Sequence, residues 1–109
     1  MGQMLYEVTA TFRDEGSARG WVAWMLNSHI ADVIKAGASR GRLLRFDDTP
    51  LTFSAQYEFA SRAEFREYLE QHALRLRAEG LARFGADRVE YSRRTAEVVV
   101  ESHVAEFKP

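Results

Sequence analysis

The sequence predicts an α+β fold in which four strands and two helices follow one another in the order β-α-β-β-α-β. Residues 5–12 and 51–59 alternate between two sets of side chains, one mainly apolar and one mainly polar, which is the period of strands that bury one face. Residues 18–36 and 62–79 repeat their apolar side chains at the spacing of an amphipathic helix. This order is the split βαβ or ferredoxin-like arrangement, in which two helices cover one face of a four-stranded antiparallel sheet.

The first half of the chain supplies strand one, helix one and strand two. Ser17 is the expected N-cap of the helix over residues 18–36, and Gly37 stands where a glycine commonly follows a helix C-terminus. Strand two is expected over residues 38–48, although its pattern is less regular. A short polar turn over residues 47–50 then leads into strand three, so that strands two and three form a hairpin.

The second half begins with a helix-capping signal. Ser61 precedes helix two by one residue, and Glu64 stands three residues later, which together make a capping box. The helix over residues 62–79 is expected to end or weaken at Gly80. Strand four then begins near residue 86.

The end of strand four carries an apolar run. Residues 98–100 are three valines, so the chain is apolar on both faces there and is expected to be buried on both sides or paired with another chain. The length of 109 residues predicts a single domain over residues 1–109. Its core would cover about residues 4–100, and residues 101–109 would form a C-terminal tail.

Composition narrows the classes of function. The hydrophobic content of 46% and the charged content of 28% are typical of a soluble globular protein. A net charge of −1 gives no general attraction to nucleic acid. No apolar run is long enough for a membrane span and no signal peptide is recognisable, so a cytoplasmic location is expected. Without cysteine or a paired histidine motif, we expect no metal site and no cofactor.

The inner stripe of each predicted helix carries a histidine, His29 on helix one and His72 on helix two. Because both helices pack on the same sheet face, the two imidazoles could approach one pocket. They would then serve as a general acid and base, as part of a metal site or as an axial haem ligand. The alternative is two core histidines, each hydrogen-bonded to a backbone carbonyl or a carboxylate.

Four tyrosines, at positions 6, 57, 68 and 91, also fall on the predicted inner faces. Their hydroxyls would suit a pocket for a small organic molecule, but equally a core whose phenol tips reach the rim of the sheet. Within this set, Tyr57 and Tyr68 join the two histidines as candidate catalytic residues. The candidate pocket lining is Trp21, Met25, His29, Tyr57, Tyr68 and His72.

The face of the sheet away from the helices is predicted to be polar. Such a face could meet water, or two such faces could meet across a two-fold axis and close a barrel. Arg93 and Arg94 interrupt the alternation of strand four, which predicts a β-bulge and places one of the two near Glu7 for an ion pair or an acidic ligand. The candidate dimer-interface residues are Glu7, Thr9, Ser54, Gln56 and Arg93. The same polarity argues against an RNA-recognition sheet, which exposes aromatic residues.

Two large apolar residues fall outside these patterns. Trp24 lies away from the inner stripe of helix one, and Leu74 lies on the outside of helix two. Together they would form a docking patch for a partner. A simpler explanation for Trp24 is that a neighbouring loop or the chain tail covers it.

Three stretches resemble a small bacterial family of unknown function that is assigned to the dimeric α/β-barrel superfamily. They are the run Trp-Met-Leu-Asn-Ser-His-Ile-Ala-Asp-Val-Ile-Lys-Ala-Gly over residues 24–37, Phe-Ser-Ala-Gln-Tyr over 53–57 and Tyr-Ser-Arg over 91–93. The resemblance implies a homodimer whose two sheets face each other, and it implies no activity. The wider superfamily includes cofactor-free monooxygenases, haem-degrading enzymes and small-molecule-binding domains of regulators. Its haem enzymes place a histidine on the second helix, where this chain has His72.

These observations leave two interpretations of function. The first is a cytoplasmic homodimeric α/β-barrel domain with a binding or structural role. The alternative is a small-molecule enzyme of the cofactor-free monooxygenase or haem-degrading type, with its pocket between the helices and the sheet.

Overall fold

The computed structural model describes residues 2–102, and within them it has the predicted β-α-β-β-α-β order. Each predicted helix is divided into segments, with a π-helical turn inside the first and a break inside the second. The elements are β1 (Met4–Phe12), α1 (Glu15–Trp24), the π turn (Met25–His29), α2 (Ile30–Lys35), β2 (Arg40–Arg45), β3 (Thr52–Phe59), α3 (Arg62–Gln71), α4 (Ala73–Arg83) and β4 (Val89–Glu97).

The sheet is antiparallel with the strand order β2-β3-β1-β4, and the helices pack on one of its faces. Val8 of β1 lies between Ala55 of β3 and Arg93 of β4, so these three side chains share the helix face. Glu7 lies between Gln56 and Arg94 on the opposite face. The predicted ferredoxin-like fold is therefore confirmed, and the register decides which residues can reach the space under the helices.

Aromatic rings fill most of the space between the helices and the sheet. Trp21 packs with its ring centroid 5.2 Å from that of Phe12 and 5.7 Å from that of Phe53. At the other end of the sheet, the ring centroids of Phe59 and Phe65 are 5.0 Å apart. Tilted ring pairs at these separations add to the free energy gained by burying the rings.

The first helix begins one turn earlier than the sequence predicts, because its N-cap is Asp14 and not Ser17. The Asp14 carboxylate accepts hydrogen bonds from the Ser17 amide at 2.8 Å and from the Ser17 hydroxyl at 2.9 Å, and these bonds lower the pKa of Asp14. Ser17 is buried behind the cap. At the other end, Gly37 has φ +130° and donates to the Ile34 carbonyl, which confirms the predicted C-terminal glycine.

The second helix starts at the predicted cap but breaks at a different residue. The Ser61 hydroxyl accepts a hydrogen bond from the Glu64 amide at 3.1 Å, as the capping motif predicts. The break falls at His72, with φ −131° and ψ −31°, and α4 then continues through Gly80 to Arg83. Of the two predicted alternatives, that Gly80 ends the helix or weakens it, the first is wrong, because α4 continues past Gly80 to Arg83.

Strand four runs in unbroken register with β1 from Val89 to Glu97, so the predicted bulge at Arg93–Arg94 is not formed. Strand two is shorter than predicted at both ends. The Val98 amide still donates to the Gln3 carbonyl, but Val99 and Val100 are 86% and 84% exposed. Burial of this apolar run within the chain is therefore excluded. Most of the predicted tail, residues 103–109, lies outside the described residues.

None of the helices found in residues 2–102 combines the length and the apolar character that crossing a membrane requires.

Candidate functional site

A cavity of about 40 Å³ lies between the helices and the sheet, under the π turn and α4. A cavity of this size holds a group of about three or four heavy atoms, since about 10–15 Å³ of cavity volume is enough for one water molecule. All the predicted pocket residues except His72 line it. The full lining is Tyr6, Val8, Trp21, Trp24, Met25, His29, Ala55, Tyr57, Tyr68, Leu76, Arg77, Gly80, Tyr91 and Arg93.

The π turn sets the position of His29. In a π-helix the backbone bonds join residues five apart, as the Ile30 amide does here with the Met25 carbonyl. The wider turn places the rings of Trp24 and His29 in a stack with centroids 4.3 Å apart. A regular helix at 100° per residue would keep these two rings apart. His29 therefore lines the cavity together with Trp24, which the sequence places away from the inner stripe.

Gly80 allows the second helix to approach this stack. A Cβ atom at Gly80 would lie 3.3 Å from Cη2 of Trp24, closer than side chains normally pack. Trp24 also packs against Phe84 with ring centroids 5.7 Å apart. Trp24 is thus half-buried against α4, whereas Leu74 is 79% exposed. The expected docking patch of Trp24 and Leu74 is not present, and helix α4 covers Trp24 where a loop or the tail was expected.

Three buried polar atoms point to a use for the cavity. His29 Nδ1, the Tyr57 hydroxyl and Arg77 Nε are buried and make no hydrogen bond within residues 2–102. All three residues line the same cavity. Buried polar groups in proteins are almost always hydrogen-bonded, so three exceptions around one space require an explanation.

The neighbouring polar groups, by contrast, are paired. The indole Nε1 of Trp21 donates to the Tyr91 hydroxyl at 3.1 Å. Arg77 donates through Nη2 to the Tyr6 hydroxyl at 3.1 Å, which fixes its guanidinium at the cavity wall. Unmet hydrogen-bonding capacity is thus concentrated on His29, Tyr57 and the Nε atom of Arg77.

Burial favours the neutral forms of the histidine and of two tyrosines in the cavity. It lowers the pKa of His29 to about 4, although the carboxylate of Asp32 acts in the opposite direction. It raises the pKa of Tyr57, with Tyr68 and Tyr6 adding to the effect, and it raises the pKa of Tyr68 to about 12. At neutral pH the cavity therefore presents an uncharged imidazole and uncharged phenols.

His72 lies elsewhere. It occupies the break between α3 and α4, where its Nδ1 is 3.0 Å from Nη2 of Arg75, in an outer groove with Asp32 and Glu79. The expectation that the two imidazoles approach one pocket is therefore wrong, because the helix break turns His72 away from the sheet. The residues from 2 to 102 contain no cluster of three or more His, Cys, Asp or Glu side chains arranged to hold a metal ion.

The open face of the sheet carries a hydrogen-bonded network centred on Glu7. Its carboxylate accepts from Arg94 at 2.6 Å, from Ser54 at 2.9 Å and from Gln56 at 3.1 Å. The Arg94 bond is the main reason that the pKa of Glu7 is lowered, and burial opposes it. The ion pair expected for one of the two adjacent arginines is thus made by Arg94. Arg93 points to the other face and lines the cavity, so its assignment to a dimer interface is corrected.

Arg77 lines the cavity although the sequence pattern does not predict it. If helix two ran without a break over residues 62–79, Arg77 would lie on its outside or flank. The break at His72 changes the direction of α4, and Arg77 comes to lie half-buried beside Tyr6. A signal existed in the sequence, since Arg77 directly follows the inner residue Leu76 and has no acidic residue four positions before it.

Residues 3–99 match the model of a domain of unknown function, DUF4286. The chain belongs to the DUF4286 family. This agrees with the resemblance to a family of unknown function found in the sequence. No curated protein matches this DUF4286 chain significantly.

Solved structures share the fold of this DUF4286 chain at low sequence identity. A dimeric ferredoxin-like protein from an uncultured marine organism has a TM-score of 0.75 and 13% identity, covering 94% of this chain and 100% of its own. SnoaB, a cofactor-independent oxygenase from Streptomyces nogalater, has a TM-score of 0.68 and 14% identity, covering 97% and 100%. A protein from Shewanella oneidensis has a TM-score of 0.63 and 22% identity, covering 88% and 91%. At these identities the likeness concerns the fold alone.

The unpaired Tyr57 hydroxyl predicts an unusual mutational result. Tyr57→Phe removes a buried group without a partner, so we expect the free energy of unfolding to rise by about 1 kcal/mol. Tyr6→Phe is the matched control, because it removes the acceptor of Arg77 and should lower the free energy by about 1 kcal/mol. Urea unfolding of both variants measures the difference. Equal destabilisation by the two substitutions would show that the Tyr57 hydroxyl has a partner within the protein.

The lowered pKa of His29 predicts a pH dependence of stability. Between pH 4 and 6.5 the unfolded chain binds a proton at this position and the folded chain does not, so the free energy of unfolding falls as the pH falls through that window. His29→Asn abolishes this contribution, and the stability advantage of the native protein over the variant should shrink from pH 6.5 to pH 4. Urea unfolding at several pH values measures it, with His72→Asn as the control outside the cavity. An advantage that stays constant with pH contradicts the assignment.

Proposed function

We propose that this chain is a homodimeric α/β-barrel domain that binds a small molecule in the cavity between its helices and its sheet. The observation that carries the proposal is the convergence of three unpaired buried polar atoms, on His29, Tyr57 and Arg77, at one cavity. Leaving such a group unpaired costs about 1–3 kcal/mol. A ligand that hydrogen-bonds to all three would recover this cost, which is what a binding site needs.

The lowered pKa of His29 favours ligand binding over proton-transfer catalysis. An efficient general base has a pKa near the working pH, whereas the pKa of His29 is about 4. The neutral imidazole is a hydrogen-bonding group and a weak base. His29 and Tyr57 are therefore proposed as ligand-binding residues, with Tyr68, Trp21 and Met25 forming the surrounding wall.

An enzyme of the cofactor-independent oxygenase type is the second candidate. What supports it is the stack of Trp24 on neutral His29 inside a tyrosine-lined cavity, in a fold shared with the oxygenase SnoaB. A haem-degrading activity is not favoured, because His72 lies outside the cavity and faces Arg75.

The dimer is proposed to form through the open face of the sheet. Ser54 and Glu7 hold the centre of a fixed polar network there, beside Thr9 and Gln56, and such a preorganised surface suits a second copy of itself. The exposed valines at the end of β4 would gain burial from a partner chain. The marine protein of the same fold is described as dimeric.

Several expectations from the sequence remain part of this proposal. They are a single domain over residues 1–109, a bacterial source, a cytoplasmic location and the absence of nucleic acid and membrane partners. The net charge of −1 and the polar open face of the sheet support the last of these.

Ligand binding is tested with fragments that fit the cavity. We expect methanol, formamide or formate to shift the indole N–H resonances of Trp21 and Trp24 in a saturable way, because both side chains line the cavity. Gly80→Ala narrows the cavity beside Trp24 and should weaken binding by about threefold or more. Gly20→Ala is the matched control, since its Cβ would meet Phe84 at an ordinary 3.5 Å. If no fragment gives saturable shifts, the cavity is not a binding site.

The assembly is tested by size-exclusion chromatography with light scattering. We expect a mass twice the 12.5 kDa of the chain. Thr9→Arg places a charged side chain in the middle of the open face and should yield the monomer, whereas Ala78→Arg on the outside of α4 should leave the dimer intact. A native protein that stays monomeric at all concentrations would refute the homodimer.

A further inference from the structure

The cavity has a strongly one-sided charge. Two of its lining residues, Arg77 and Arg93, carry guanidinium groups, and none of the lining residues carries a carboxylate. His29 is the other ionisable base there, and its neutral form adds no charge. The charge that the lining residues themselves bring to the cavity is therefore positive.

The two cavity arginines lack a counterion. Within residues 2–102, neither Arg77 nor Arg93 forms an ion pair. The guanidinium of Arg93 instead lies over the ring of Tyr91, 5.3 Å from its centroid. On the open face of the sheet, by contrast, Arg94 pairs with Glu7. The cavity thus holds two positive charges that no carboxylate of the described residues neutralises.

The unpaired atoms identify the kind of group that would complete the site. Arg77 Nε carries a hydrogen and can only donate. The Tyr57 hydroxyl and a neutral His29 protonated on Nδ1 can also donate. In that tautomer, a single group that accepts several hydrogen bonds satisfies all three atoms together, as a carboxylate does with its two oxygens and four lone pairs.

The charges of the arginines also act on the hydroxyl of Tyr68 in the cavity lining. Burial dominates and raises the pKa of Tyr68 to about 12, but the charges of Arg77 and Arg93 act in the opposite direction and favour a negative charge there. The arginines thus offset part of the cost that burial places on a negative charge at the cavity wall.

We propose that the cavity binds the carboxylate group of a small organic acid, held by Arg77, Arg93, Tyr57 and His29. This inference rests on the proposed function, since it names the ligand class of the same site. The volume of about 40 Å³ accommodates the three heavy atoms of a carboxylate and about one further atom. Arg93 is the exposed residue of the lining, so it marks the mouth through which the rest of a larger acid would extend.

The test compares formate with formamide, which have the same number of heavy atoms but differ in charge. Each is titrated at constant ionic strength, with the indole N–H resonances of Trp21 and Trp24 as the signal. We expect formate to bind about tenfold or more tightly than formamide, because charge-assisted hydrogen bonds are about twice as strong as neutral ones. Benzoate, which shares the carboxylate but is larger, distinguishes a free small anion from the end of a larger acid.

Substitutions assign the binding to the cavity arginines. Arg93 is exposed, so Arg93→Gln should leave folding intact while weakening formate binding about threefold or more. Arg77→Gln should weaken formate binding about tenfold or more. Arg66→Gln, at an exposed position of α3 that does not line the cavity, removes the same charge and should have no effect. If Arg77→Gln unfolds the chain, Arg93→Gln still decides the question.

The possible outcomes separate the two proposals. Tight formate binding that depends on Arg93 supports both of them. Equal or tighter binding of formamide would overturn the carboxylate class and leave the cavity as a binding site. Formate binding that is unchanged in both arginine variants would also overturn the carboxylate assignment. If neither compound gives saturable shifts, the proposed function fails as well.

Discussion

The space between the helices and the sheet contains three hydrogen-bonding atoms, on His29, Tyr57 and Arg77. Burial separates these atoms from the bulk water that would otherwise hydrogen-bond to them. The free-energy cost of unpaired groups in such a place is comparable to a large part of the stability of a small domain. The aromatic core on either side must therefore be stable enough to hold them there. The rings around Trp21 and around Phe59 supply that support at the two ends of the sheet.

The backbone irregularities of the chain serve this arrangement. The π turn stacks His29 on Trp24, Gly80 lets α4 approach that stack, and the break at His72 directs α4 so that Arg77 reaches Tyr6. Turns of this kind are frequent at functional sites because they re-aim side chains at a local cost in helix geometry. On the open face of the sheet, by contrast, the carboxylate of Glu7 neutralises Arg94.

The sequence predicted the fold because strand alternation and helical periodicity are local signals that the tertiary structure did not override. The alternation over β1 and β3 and the Ser61 cap are examples. The cavity was predicted in part, through the inner-face positions of Trp21, Met25, His29, Tyr57 and Tyr68. Arg77 and the separation of His72 were missed because they depend on a helix break that an ideal period of 3.6 cannot represent. Arg93 was missed for the opposite reason, since a bulge was predicted where β4 alternates regularly.

The most direct test of this account is a high-resolution crystal structure of the protein as purified, refined around the cavity. The account predicts electron density for a bound group within hydrogen-bonding distance of His29 Nδ1, the Tyr57 hydroxyl and Arg77 Nε. It also predicts that these three atoms remain directed at that group. A structure in which the three atoms are hydrogen-bonded to one another or to other protein groups, with the cavity closed, would contradict it.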